Sequence, residues 1–252
     1  MSNQLDLSKE LDGRRALVTG GTRGIGATIA QRLLDAGAKV VVAARTPNND
    51  APVAATFVAG DVTTSIGVEA IATQALAALG GLDILVNNAG GGGAFLEGSW
   101  TIPDEAWHDS FALNLFAAIR LTNAVLPALR ASKAAAVVNI SSAAAAMPFA
   151  PSAHYGAAKA ALEYYSRTLA VELAPSGIRV NVVSPGIIST PGSAEFSKTT
   201  PGFSPDDWLR NIPLGRIGDT EDIAQVVALL VSSRGKFLTG ANYRVDGGMT
   251  AR

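Results

Sequence analysis

The sequence predicts an α/β fold built on one doubly wound parallel sheet of about seven strands, and three observations carry that prediction. Short apolar runs recur at residues 15–19, 39–44, 57–62, 82–86, 134–140, 178–183 and near 242–245. Helical patterns separate most of these runs, which makes neighbouring strands parallel. Glycine-rich or polar turns follow several strand ends, where such sheets bind ligands.

Composition narrows the class. No stretch rich in Pro, Ser or charge divides the chain, so residues 1–252 are expected to form one domain. Hydrophobic residues at 48% against 16% charged suit a large core. A formal net charge of -1 without a basic block argues against nucleic acid or an anionic membrane as a partner. The absence of cysteine removes disulfides, thiol catalysis and Cys-ligated metals, and two isolated histidines make no metal site. The opening residues lack the apolar core of a signal peptide. Apolar runs elsewhere are expected to break at Asn, Ser or Pro before spanning a bilayer, so the expected location is cytoplasmic.

The first strand, 15–19, runs into Gly20-Gly21-Thr22-Arg23-Gly24-Ile25-Gly26 and then a helical pattern. Strand, glycine turn and helix together point to a bound nucleotide, since glycines admit a pyrophosphate to the backbone and a helix N-terminus favours the anion. The second strand ends at Ala43-Ala44-Arg45 with no acid to hold a ribose 2′-hydroxyl. Arg45 and Arg23 instead suit a 2′-phosphate, which predicts NADP, with NADPH preferred over NADH. Residues 46–57 hold two prolines and are expected to form a loop or single turn. Asp61, with Val62 after it, is read either as an acceptor for the adenine amino group or as a cap for the helix over 62–80. The fourth strand is followed by Asn87-Asn88-Ala89-Gly90 and three more glycines, of which the last three read more as a loose loop.

Residues 103–130 form a long helical stretch, with a bend expected at Pro127 and Asn114 in its interior, where an amide needs partners. The fifth strand delivers Ser141 and Ser142. Tyr155 and Lys159 lie four apart on the helix that follows, so they share a face. A free tyrosine has a pKa near ~10, and bringing it to ~7 needs roughly 4 kcal/mol, much of which an adjacent cation can supply. The pair is therefore a candidate for proton transfer. After the sixth strand come Pro185, Gly186, Ile187, Ile188, Ser189 and Thr190. Residues 191–212, with Phe196, Phe203 and Trp208, are expected to form a mobile apolar flap. His108 and Trp107 are expected to pack; His154 is open between lining the pocket, facing solvent and packing.

Taken together and in order, these motifs resemble the short-chain dehydrogenase/reductase family over nearly the whole chain. The Gly20-x-x-x-Gly24-x-Gly26 turn, the Asn87-Asn88-Ala89-Gly90 loop, the Ser142 to Tyr155 spacing, Tyr155-x-x-x-Lys159 and Pro185-Gly186 with Thr190 carry the resemblance. It implies a Rossmann-like domain in which Tyr155 is the acid/base, Ser142 holds the substrate oxygen, and Lys159 lowers the tyrosine pKa and binds the nicotinamide ribose. It further implies that Asn114 positions a water, that Pro185 to Thr190 dock the carboxamide, and that the protein is a homotetramer. Two departures stand out: a short 45–61 segment and four alanines after Ser142. The activity implied is NADP(H)-dependent interconversion of a ketone and a secondary alcohol on a small, largely apolar substrate. The alternatives are reduction of a 3-oxoacyl thioester, for which Lys198, Arg210 and Arg216 are the basic residues, or a non-catalytic NADP-binding sensor.

Overall fold

The structure, a computed structural model, describes residues 6–200 and 204–251. The strands are β1 (Arg15–Thr19), β2 (Lys39–Ala44), β3 (Thr56–Ala59), β4 (Ile84–Asn87), β5 (Ala136–Ile140), β6 (Arg179–Pro185) and β7 (Asn242–Val245). They form one sheet in the order β3-β2-β1-β4-β5-β6-β7, and every pairing is parallel. The order reverses between β1 and β4, so the connections from these two strands leave toward opposite sides and open a crevice at their carboxyl ends.

Strand limits differ from the sequence reading for local reasons. β3 stops at Ala59: Gly60 N still donates to Ala44 O at 3.0 Å, and the chain then turns toward the next helix. β4 gains Asn87, which is in register with Asn139, and the two side-chain amides bond at 2.8 Å. β6 runs on to Pro185 because β7 pairs with it as far as Val245.

Helices α1 (Gly24–Asp35) and α8 (Thr220–Val231) cover one face of the sheet, where Ala16 and Val18 of β1 join the core. Leu17 points to the other face, against α2 (Ser65–Leu79), α4 (Ala117–Ala131) and α5 (Ala153–Leu173). This alternation is the period of a strand buried on both sides.

The stretch read as one long helix is α3 (Asp104–Phe111), a π-helical turn over Ala112–Phe116, and α4. Pro127 sits inside α4; the irregularity lies instead at the π turn, where Ala117 N donates to Ala112 O. Asp104–Ala131 is long and apolar enough to cross a membrane by length and composition, contrary to the expectation that every run is broken before that length. In the fold it is a core helix, with Leu115, Leu121, Val125 and Leu129 buried. Residues 191–212 contain two short helices, α6 (Pro191–Thr199) and α7 (Pro205–Leu209), each opened by a capping box. Trp208 is buried and Phe196 packs edge-on to Phe149, while Phe203 lies outside the described residues.

Candidate active site

The glycine turn and the β4 loop are stitched together across the crevice. Asn88 Nδ2 donates to Thr19 O at 2.9 Å and Gly20 O at 3.2 Å, and the Asn88 and Ala89 N–H groups both donate to Thr19 Oγ1 at 3.0 Å. Asn88 thus spends its side chain on shaping the turn. Gly20 and Gly24 have φ of 62° and 54°, in the left-handed region that favours glycine. Gly24 begins α1, and the first N–H groups of a helix have no acceptor within it. Thr22 and Gly26 are buried, Ile25 is half-buried, and Arg23 is exposed at the rim.

Arg45 is exposed at the tip of β2. Residues 46–55 form turns, as expected, with Asn48 accepting from Asp50 N at 2.8 Å. Asp61 accepts from Thr63 N at 2.9 Å and Thr63 Oγ1 at 2.7 Å, and these bonds, with a smaller pull from Arg45, hold its carboxyl below the usual range. Thr64, by contrast, caps α2 by accepting from Gly67 N at 3.0 Å. Asp61 therefore closes the turn before the helix and is not its cap. Val62 is buried beside it.

Ser142, Tyr155 and Lys159 converge at the end of β5. Ser142 opens a 3₁₀ turn over Ala143–Ala145 and accepts from Ala144 N at 3.2 Å. Tyr155 is half-buried in the first turn of α5, near enough to Ser142 for the serine hydroxyl to act on the tyrosine's. Lys159 is buried; its Nζ donates to Ile140 O at 2.8 Å and lies 5.7 Å from the centre of the Tyr155 ring. Burial pushes the Tyr155 hydroxyl up and the Ser142 hydroxyl pulls it back in part. The lowering by Lys159 expected from the spacing is not found: the ammonium is turned to the Ile140 carbonyl, and burial sets the direction of the shift. Burial also brings Lys159 down to about 8, opposed by the charge of Glu163.

The π turn aims Asn114 into the same place, as π bulges at functional sites often do. Asn114 Nδ2 donates to Gly91 O at 2.8 Å and Ser110 O at 2.9 Å, and its Oδ1 accepts from Gly91 N at 3.0 Å. A small cavity of about 10 Å³, room for about one water, is lined by Asn114, Lys159, Asn87 and Thr19. The glycines after Ala89 are not a loose loop. A β-carbon on Gly90 would lie 2.9 Å from both Asn114 Oδ1 and Lys159 Nζ, one on Gly92 would meet Tyr155, and Gly93 O accepts from Ser152 Oγ at 2.7 Å.

At the end of β6, Gly186 N donates to Val245 O at 2.9 Å and the buried Ile188 bridges to Gly218. Thr190 caps α6 and stands beside Gly24, with its Cβ 3.6 Å from where a Gly24 β-carbon would be. The stretch from Pro185 to Thr190 thus closes the crevice opposite the glycine turn. His154 is buried edge-on between Phe95 and Trp107, its Nδ1 without a partner, and burial lowers its pKa. It packs, as Trp107 does, whereas His108 is exposed, against expectation. Of the basic residues near the flap, Arg210 pairs with Asp207 and Arg216 with Asp222 at 2.7 Å. Three polar residues in this region were not singled out from the sequence: Ser110, Ser184 and Glu163. For Glu163 a signal was there, an acid one helical turn after Lys159.

Comparison with known proteins agrees with this arrangement. Residues 20–250 match the family model described as enoyl-(acyl carrier protein) reductase. The chain is 36% identical over 244 residues to the 3-oxoacyl-[acyl-carrier-protein] reductase FabG of Salmonella typhimurium, covering 94% of this chain and 98% of that protein. It is 38% identical over 244 residues to the L-xylulose reductase of Bos taurus, covering 96% and 98%. Among solved structures, the L-sorbose reductase of Gluconobacter frateurii, complexed with NADPH and L-sorbose, superposes with a TM-score of 0.87 at 31% identity, covering 97% and 99%. With the parallel sheet, the glycine turn and the Ser142, Tyr155 and Lys159 cluster, these matches establish that the chain belongs to the short-chain dehydrogenase/reductase family of oxidoreductases.

Proposed function

We propose that the protein is an NADP(H)-dependent oxidoreductase that interconverts a ketone and a secondary alcohol on a small, largely apolar substrate. The observation that carries this reading is buried Lys159, its Nζ 5.7 Å from the centre of the Tyr155 ring, with Ser142 at the end of β5 near enough to act on the tyrosine, at the carboxyl ends of the strands. The residues present suit a dinucleotide: a β-carbon at Gly26 has no space, the α1 N-terminus opens on the crevice, and two exposed arginines flank it. Gly20, Thr22, Arg23, Gly24, Ile25 and Gly26 would hold the phosphates, Asp61 and Val62 the adenine side, and Asn88, Ala89 and Gly90 the adjoining ribose. Pro185, Gly186, Ile188 and Thr190 would hold the far end. When bound, the nicotinamide supplies or accepts the hydride.

The chain's own residues handle the proton. A raised Tyr155 pKa keeps the hydroxyl protonated at neutral pH, ready to donate to a carbonyl oxygen, while Ser142 steadies that oxygen. Lys159 holds the ribose, and Asn114 orients a water in the cavity that both line. Each charge-assisted bond from Arg23 or Arg45 to a 2′-phosphate is worth roughly 1.5 to 3 kcal/mol, so the pair favours NADPH over NADH by about a hundredfold. The proposed flap is residues 191–212, and the similarity to a reductase complexed with NADPH supports the cofactor.

Similarity to FabG favours a second reading, reduction of a 3-oxoacyl thioester. Against it, two of the three basic residues near the flap are tied up in ion pairs. The proposed location is cytoplasmic, and the proposed assembly is a homotetramer, supported by Phe116 exposed in the π turn, Tyr164 and Val171 exposed on α5 and Phe237 exposed before β7. Following nucleotide absorbance with ketones, alcohols and a 3-oxoacyl thioester decides among these. Turnover with NADPH that is lost in Tyr155→Phe supports the enzyme. Tight NADPH binding with no turnover on any of them favours the sensor.

A further inference from the structure

Ser141 and Ser184 stand at the carboxyl ends of β5 and β6, and both hydroxyls meet one oxygen. Ser141 Oγ is 2.8 Å and Ser184 Oγ 2.9 Å from Glu163 Oε1. Each hydroxyl carries one hydrogen and a carboxylate only accepts, so the pattern is two donors on one carboxylate. Both serines are buried and Glu163 is half-buried. Asn242 Oδ1 also lies 2.8 Å from Ser184 Oγ and, being an acceptor too, shares the single Ser184 hydrogen with Glu163. Glu163 is thereby fixed to two strand ends, one helical turn after Lys159.

Lys159 needs such a neighbour. Its ammonium is buried against a neutral carbonyl, and a buried charge without a counter-charge is costly. On β1, β4 and the π turn with its flanking residues, the space around it is lined by Thr19, Asn87, Ala89, Leu113 and Asn114, none of them titratable. On α5 its ammonium lies by the Tyr155 ring, and Glu163, one helical turn on and not in direct ion-pair contact, is the carboxylate whose charge acts on it.

We propose that Glu163 is a positioning residue: pinned between the ends of β5 and β6, it supplies the counter-charge of the Lys159 ammonium and so sets when Lys159 can hold the cofactor ribose. This rests on the reading of Lys159 as a cofactor-holding residue.

The test is NADPH affinity, read by nucleotide fluorescence on the full chain from neutral to strongly alkaline pH. The native protein is expected to lose affinity with a midpoint near pH 8, as Lys159 gives up its proton. Glu163→Gln keeps the shape and removes the charge; its midpoint should fall by about one pH unit, with affinity below the transition unchanged. Ser141→Ala with Ser184→Ala should move the midpoint the same way by less, because the charge stays and only its anchorage goes. An unmoved midpoint in Glu163→Gln, or a loss of affinity equal at every pH, overturns the proposal and leaves Glu163 as a strap between strands. If Glu163→Gln fails to fold, the double serine variant decides, and an unmoved midpoint there overturns the proposal as well. Lys159→Ala separates the two readings. If it binds NADPH as the native protein does, Lys159 does not hold the cofactor; if it binds weakly while Glu163→Gln keeps the native midpoint, only the role of Glu163 falls.

Discussion

Gly26 packs so closely on Gly20 that a β-carbon at Gly26 would overlap the Gly20 carbonyl oxygen and the Asn88 amide. Backbone cannot yield there without moving the turn. Gly26→Ala should therefore cost about 2 to 3 kcal/mol, in the usual range for overpacking, and lower Tm by roughly 5 to 10 °C. NADPH affinity should fall by at least about tenfold. Gly24→Ala is the control: its β-carbon has space, and only the φ of 54° opposes it, for about 1 kcal/mol. Equal effects from the two substitutions, by calorimetry and NADPH titration, would contradict the clash.

Arg45→Asp should narrow or reverse the preference for NADPH, because it removes a positive charge and puts an acid where a ribose hydroxyl would bind. Arg23→Ala should weaken NADPH by about tenfold and leave NADH nearly unchanged. Dissociation constants for both nucleotides in both variants check this; parallel losses would mean that neither arginine reads the phosphate.

His154 makes stability depend on pH. Burial holds its pKa below the ordinary 6.5, so the unfolded chain takes up a proton that the folded chain refuses. Stability is then full above 6.5 and falls as pH drops below it, at no more than about 1.4 kcal/mol per pH unit. His154→Phe should remove this slope while keeping the contacts with Phe95 and Trp107. Urea denaturation at several pH values measures it, and an unchanged slope in the variant would assign the effect elsewhere.

Asp83 acts in a lower range. Burial raises its carboxyl, but bonds from Arg15 and Ser132 outweigh burial and bring it to about 2, including Arg15 Nε at 2.8 Å and Ser132 Oγ at 2.6 Å. A depressed folded pKa gives stability that is present above the unfolded value and lost as pH falls through about 2. The contribution is about 2 kcal/mol. Asp83→Asn should lose it at neutral pH and show a flatter acid transition in circular dichroism.

Much of the fold was legible because fully buried strands and amphipathic helices write their period into the chain. β1 and β2 run between the residues expected, and Gly20, Gly24 and Gly26 announced a turn that only glycine fits. That Tyr155 and Lys159 share a face followed from helical spacing, while Ser142 was joined to them by the family resemblance. What stayed hidden depends on contacts between distant segments. Nothing local reveals that Gly91 would bond Asn114, that Asn88 would serve Thr19 and Gly20, or that two serines, 22 residues before and 21 residues after Glu163, would share its carboxylate. The π turn was equally silent, since ALNLF reads as ordinary helix.

That turn lets one unbroken helix keep two angular phases. A single extra residue in an α-helix rotates all that follows by about 100°. Before it, α3 presents Trp107 to His154 at the start of α5; after it, α4 lays Leu121, Val125 and Leu129 on the sheet. Removing one residue from Ala112–Phe116 would force a choice between these two neighbours, and Asn114 stands at the point where the choice is made.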